Sequence, residues 1–180
     1  MRITKEDTIG LVVDVQERLF PVMWGKEIFL KNCKTLVSGL GELKIPTIVT
    51  QQYSKGLGDT IAEIKEVIPN FDFIEKREFS CCDASTVAGK IEDLKAKNII
   101  ICGIESHVCV LQTAVDLKEA GLNPVVVIDC ISSRTKENIE IAKERFRFEG
   151  IMMTSYESIL FELTRTSSAP EFRAISKLVK

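Results

Sequence analysis

Three side chains in this sequence have the type and the surroundings for nucleophilic chemistry: a cysteine, a carboxylate and an ammonium, each placed where an apolar run gives way to a turn. Cys109 follows residues 98–102, Asn98 and then β-branched and apolar like a buried strand, with Gly103 breaking the run and Ser106 fit to cap a helix through Val110, Thr113, Ala114 and Leu117. A cap at Ser106 puts Cys109 at the third helical position. Free backbone N–H groups and the positive end of the helix dipole there favour thiolate, the reactive form of cysteine. Asp14 ends the apolar run 11–13, where a sheet opens to a ligand and a carboxylate suits a general base. Spacing alone leaves equally open a carboxylate that caps the next turn or pairs with a lysine. Lys76 closes the segment 71–75, and an ammonium held there would stabilise both thiolate and a developing oxyanion. The plainer alternative is one more solvated lysine beside Glu75, Arg77 and Glu78.

The elements that must position these residues alternate along the chain. Strand patterns at 9–15, 46–50, 71–75, 98–102, 124–129 and 151–153 are interleaved with helical patterns at 26–43, 84–96, 107–120 and 136–149. Runs such as Leu11, Val12, Val13 and Val125, Val126, Val127, Ile128 are continuously apolar, as strands buried on both faces are. The expectation is an α/β fold: a three-layer α/β/α sandwich with a central, mainly parallel six-stranded sheet, and reactive groups gathered at the strands' carboxyl ends. Residues 51–60, with Gly56 and Gly58, read as a surface loop or lid, and the segment after Ser155 as a helical tail. No linker, repeat or low-complexity tract divides residues 1–180, which read as one domain.

Composition narrows the partners. The chain has 180 residues, 45% hydrophobic and 28% charged, enough for one ordinary core. A formal charge of −2 supplies no footprint for nucleic acid or an anionic membrane, so a small uncharged or mildly charged molecule is the expected substrate. The first residues hold no apolar signal core and no later run approaches a membrane span, which points to a cytoplasmic protein. The six cysteines lack framework spacing and read as reduced thiols. No CxxC pair and a single histidine, His107, leave little with which to build a zinc site.

Asp14 after an apolar first strand, Lys76 in the run Lys76, Arg77, Glu78, Phe79, Ser80, and the segment 103–110 with Ser106, His107 and Cys109 resemble the isochorismatase-like cysteine hydrolase superfamily, which includes nicotinamidases and other amidohydrolases. The similarity runs along nearly the whole chain, and residues 131–134 with 169–172 look like the isochorismatase domain-containing subgroup. The resemblance implies an Asp-Lys-Cys triad carried onto Asp14, Lys76 and Cys109. It also implies a cis peptide between Ile104 and Glu105, and an oxyanion hole from the backbone N–H groups of Glu105 and Cys109. The implied reaction is thiolate attack on a small amide or related carbonyl compound, through an acyl-thioester that Asp14 helps hydrolyse. Isochorismatases proper lack the cysteine, so Cys109 argues for thiol chemistry. Nicotinamidases bind a metal through an Asp-x-His pattern after the second strand, whereas this chain has Gln51, Gln52 and Tyr53 there, so no metal and no cofactor is expected. Members commonly assemble, and a homo-oligomer is expected, with Phe161, Leu163, Phe172 and Leu178 of the tail offering apolar surface.

Other residues carry weaker expectations. His107 and Cys109, two apart on a helix, point about 200° away from each other, which speaks against direct pairing. Cys81 and Cys82 read as reduced, partly buried thiols rather than redox partners. Phe20, Trp24 and Phe79 offer an apolar wall near the crevice, or plain core. Two rival functions stand beside the hydrolase: a catalytically weak binding or scaffold protein of the same fold, and a thiol-redox protein pairing Cys109 with Cys81 or Cys82.

Overall fold

Strands that are apolar on both faces need a helical layer on each, and the chain supplies both. The structure, a computed structural model, describes residues 2–180. Six strands form one all-parallel sheet: β1 (Thr8–Val13), β2 (Thr47–Gln52), β3 (Ile74–Lys76), β4 (Asn98–Ile104), β5 (Asn123–Ser132) and β6 (Met152–Thr154), in the order β3-β2-β1-β4-β5-β6. The helices are α1 (Lys26–Glu42), two single turns α2 (Ser54–Leu57) and α3 (Ala62–Lys65), then α4 (Ser85–Asp93), α5 (Leu111–Glu119), α6 (Lys136–Phe148), α7 (Tyr156–Thr164) and α8 (Phe172–Leu178). Side chains alternate across the sheet as the two-residue period of a strand requires. Val12, Ile100, Cys102 and Ile104 join the core under α1 and α7, while Leu11, Val13, Ile99 and Ile101 join the opposite core with residues of α4, α5 and α6.

The chain direction of winding reverses between β1 and β4, which are neighbours in the sheet although far apart in sequence. Such a switch point leaves a crevice beyond the strands' carboxyl ends.

Several elements differ from the sequence reading, each for a physical reason. The third strand is shorter and later than 71–75: Phe71 packs on the core and stacks on Phe73 at 6.4 Å between ring centroids, so the pair forms an apolar clip before the strand begins. Gly103 does not end its strand. β4 continues through it to Ile104, and only glycine suits the position: its φ is +122°, and a Cβ there would stand 2.1 Å from the Val13 carbonyl oxygen. Residues 51–60 are no free lid. Gln16 Nε2 donates to the carbonyls of Gln52 and Gly58, Gln16 bridges to Thr60, and Gln51 and Thr60 are buried. The tail folds onto its own chain: Leu163 and Ile175 are buried in the core with α1, and Phe161 and Phe172 lie 6.3 Å apart between ring centroids. Exposed large apolar side chains are found elsewhere, on Val22, Trp24 and Ile28 and on Ile141 and Phe148 of α6.

Candidate active site

Asp14 is the first residue after β1, in a left-handed conformation with φ 52°, and is completely buried. Its carboxylate is gripped from two strands. Oδ2 accepts from Lys76 Nζ at 2.7 Å and Oδ1 accepts from Thr50 Oγ1 at 2.8 Å, while its own N–H donates to the Thr50 carbonyl at 3.3 Å. Lys76, the last residue of β3, is no solvated lysine: its side chain is as buried as that of Asp14. Its ammonium also donates to Gln52 Oε1 at 2.8 Å and to the carbonyls of Glu78 at 3.1 Å and Phe79 at 3.3 Å. Burial alone would push this ammonium's pKa down. The negative charge of Asp14, with lesser contributions from Cys109 and Cys81, outweighs that and holds it above its ordinary value. β1, β2 and β3 thus deliver one charge-neutral cluster by adjacency in a parallel sheet.

Cys109 reaches the cluster from the other side of the switch point. It lies in a wide turn, Ser106–Val110, between β4 and α5, where the Val110 N–H reaches back five residues to the Glu105 carbonyl at 3.2 Å. The peptide bond between Ile104 and Glu105 is cis. Ser106 does not cap a helix here. Glu105 precedes the turn, Ser106 lies inside it, and the Ser106 hydroxyl is buried without a hydrogen-bond partner among the described residues. The wider π turn displaces the cap that an α-helix starting at Ser106 would have formed.

The electrostatics of the sulfur reverse the expectation of a resting thiolate. Cys109 is 7% exposed, and burial first, then the charge of Asp14 and a hydrogen-bonding interaction with it, push the thiol up to about 12, against the opposing pull of Lys76. The resting site holds carboxylate, ammonium and neutral thiol.

Cys81 stands at the same cluster, as the alternative pairing of Cys109 with Cys81 or Cys82 would require of one of them: its Sγ is 4.0 Å from Thr50 Oγ1, its N–H donates to Thr113 Oγ1 at 2.9 Å, and burial lifts its thiol to about 11. Cys82 faces away, lining with Ala88, Ile91 and Leu117 a separate cavity of about 570 Å³ between α4 and α5. His107 Nδ1 is 2.9 Å from Ser133 Oγ and holds the end of β5. Glu105 accepts from the Arg134 N–H at 3.2 Å and from its guanidinium at 3.1 Å. Of the three aromatics, Phe20 packs against the core and near Phe29. Trp24 and Phe79 are 57% and 54% exposed, Trp24 tied by its backbone to Ser132 and Ser133, and Phe79 lending its carbonyl to Lys76. Thr50 and Gln52 are the site residues the sequence reading missed; their signal was the period of two that puts both on one face of β2.

Among the described residues no group of three or more His, Cys, Asp or Glu side chains is placed to hold a metal ion, and no helix is long and apolar enough to cross a membrane.

Known proteins share this arrangement of elements. A secreted isochorismatase effector, Isc1, of Phytophthora sojae is 36% identical over 99% of this chain and 87% of its own length. Isochorismatase domain-containing protein 2 of Danio rerio is 31% identical over 99% of this chain and 89% of its own. The solved structure of MAR1 ribonuclease from Caenorhabditis elegans, 35% identical, superposes with a TM-score of 0.94 over 99% of this chain and 92% of that one. With the isochorismatase domain model matching residues 8–158, the span that carries every strand and all the residues just described, the chain belongs to the isochorismatase family.

Proposed function

We propose that the protein is a metal-independent cysteine hydrolase of a small, uncharged amide or related carbonyl compound, with Asp14, Lys76 and Cys109 as its catalytic residues. The observation that carries this reading is a wholly buried Asp14–Lys76 ion pair at the switch point of the sheet, beside a thiol whose pKa is raised by burial first and by that carboxylate second. A buried ion pair is poor value as a stabiliser, so its placement beside a nucleophile favours a chemical role.

In the first step the Cys109 sulfur attacks the substrate carbonyl carbon as its proton passes to Asp14. The tetrahedral oxyanion is received by the backbone N–H groups of Glu105 and Cys109. Collapse breaks the carbon–nitrogen bond, and Asp14 returns the proton to the leaving amine, producing an acyl-thioester. Asp14 then takes a proton from water, the resulting hydroxide attacks the thioester, and the acid leaves as the thiol is restored. Lys76 stays charged throughout and holds Asp14 in place.

The surroundings favour a neutral substrate. Lys76 has three N–H bonds and four protein acceptors, leaving none over for a substrate carboxylate. At the end of β2, where nicotinamidases place metal ligands, stand amides already engaged: Gln51 donates to Asp59 and Thr60, and Gln52 accepts from Lys76.

The test is hydrolysis of p-nitrophenyl acetate and a panel of small amides by purified protein, with mass spectrometry for an acyl adduct on Cys109. Cys109→Ala keeps the fold and loses turnover by at least about 10³-fold. Undiminished hydrolysis by Cys109→Ala overturns the proposal. Three similar solved structures carry the name ribonuclease or putative ribonuclease, so an RNA oligonucleotide belongs in the panel; its cleavage by wild type and Cys109→Ala alike would replace carbonyl chemistry with phosphodiester chemistry.

A further inference from the structure

We propose that Thr50 is a positioning residue that holds the Asp14 carboxylate as the base for Cys109; this deepens the cysteine-hydrolase reading and rests on it. Thr50 is completely buried in β2, between the strands that carry Asp14 and Lys76. It meets Asp14 twice, by a main-chain carbonyl that accepts the Asp14 N–H and by a hydroxyl that donates to Oδ1 at 2.8 Å. A hydroxyl has one proton, and an ionised carboxylate can only accept, so the direction of this bond is fixed. The Cys81 sulfur, 4.0 Å from the same hydroxyl oxygen, is left to donate to it.

The consequence is geometric. Lys76 alone would hold the carboxylate by Oδ2, and the terminal torsion of an aspartate is soft, so the plane of the group would be free to swing. A second bond on Oδ1 fixes that plane and with it the lone pair offered to the Cys109 proton. Two residues further along the same face of β2, Gln52 Oε1 accepts from the ammonium, so one strand face grips both members of the ion pair.

The experiment measures alkylation of Cys109 by iodoacetamide from pH 5 to 10, read by peptide mass spectrometry in the full chain under reducing conditions. A thiol whose pKa is pushed up to about 12 reacts by two routes: one assisted by Asp14, which gives a pH-independent plateau, and one by free ionisation, which rises tenfold per pH unit. Thr50→Val, nearly isosteric, lowers the plateau about tenfold and leaves the alkaline rise where it was, and Thr50→Ser restores the plateau. Should the valine variant fail to fold, Thr50→Ala removes the same hydroxyl. A plateau equal to wild type in the variants lacking the hydroxyl overturns the inference, as does a serine variant as slow as valine. Absence of the plateau in wild type sinks the cysteine-hydrolase reading itself, which separates that failure from a failure of Thr50.

Discussion

At the scale of single residues, the decisive fact is that the ion pair and the thiol are arranged so that no member is free to change alone. Lys76→Met leaves a buried carboxylate with one hydroxyl partner, and Asp14→Asn leaves a buried ammonium facing neutral acceptors. Each single variant is expected to lose about 3–5 kcal/mol of stability, because an uncompensated charge remains in a dry site. The double variant loses less than the sum. Urea unfolding of all four proteins measures the coupling, and strict additivity would show that the pair is not held as described. The raised thiol also marks what the sequence left hidden: helix-start logic pointed to a thiolate at Cys109, but the residue lies in a wide turn where burial and then the neighbouring carboxylate push its pKa up. That balance depends on two strands meeting in space, and no local pattern encodes it.

At the scale of elements, the site depends on how closely β1 and β4 approach. Gly103 faces the backbone of Val13, the residue just before Asp14, with room for no side chain: an added Cβ would stand 2.1 Å from the carbonyl oxygen and 2.7 Å from the nitrogen of Val13. Gly103→Ala is therefore expected to cost about 3 kcal/mol or more in chemical denaturation, and to slow Cys109 alkylation by moving the turn away from Asp14. A variant as stable and as reactive as wild type would refute this. The strand positions were legible because the runs are apolar on both faces, and α6 and α7 because Thr135 and Ser155 cap their first turns. The start of the third strand was not. The alternation Phe71, Asp72, Phe73 reads as strand by pattern, yet its two rings are spent on stacking and on the core before β3 pairs with β2. The wide turn at 106–110 was equally hidden, since a five-residue reach between Val110 and Glu105 leaves no periodic trace in five residues.

At the scale of the whole molecule, six cysteines are held as thiols in the folded state. Burial lifts Cys81 and Cys130 to about 11 and Cys82 and Cys109 to about 12. Cys33 also rises well above 9.0 through burial, and Cys102 through its bond with Cys33 together with burial. From about pH 9 upward the unfolded chain sheds these protons while the folded chain keeps them, so stability is full below that point and is lost as pH rises. Each such thiol contributes about 1.4 kcal/mol per pH unit, and the raised Lys76 acts in the same direction near the top of the window. Melting temperature measured in reductant is expected to fall steeply between pH 9 and pH 11; a level profile would contradict the burial of these sulfurs as thiols. The order of strands has one more consequence. β3, β2, β1 and β4 lead into Lys76, Thr50, Asp14 and the turn with Cys109, whereas the end of β5 secures Trp24, His107 and Glu105 through Ser132, Ser133 and Arg134. The two regions are therefore mechanically linked: Glu105, whose N–H is proposed to receive the oxyanion, leans on Arg134, so a library confined to the stretch after β5 is expected to shift reactivity together with selectivity.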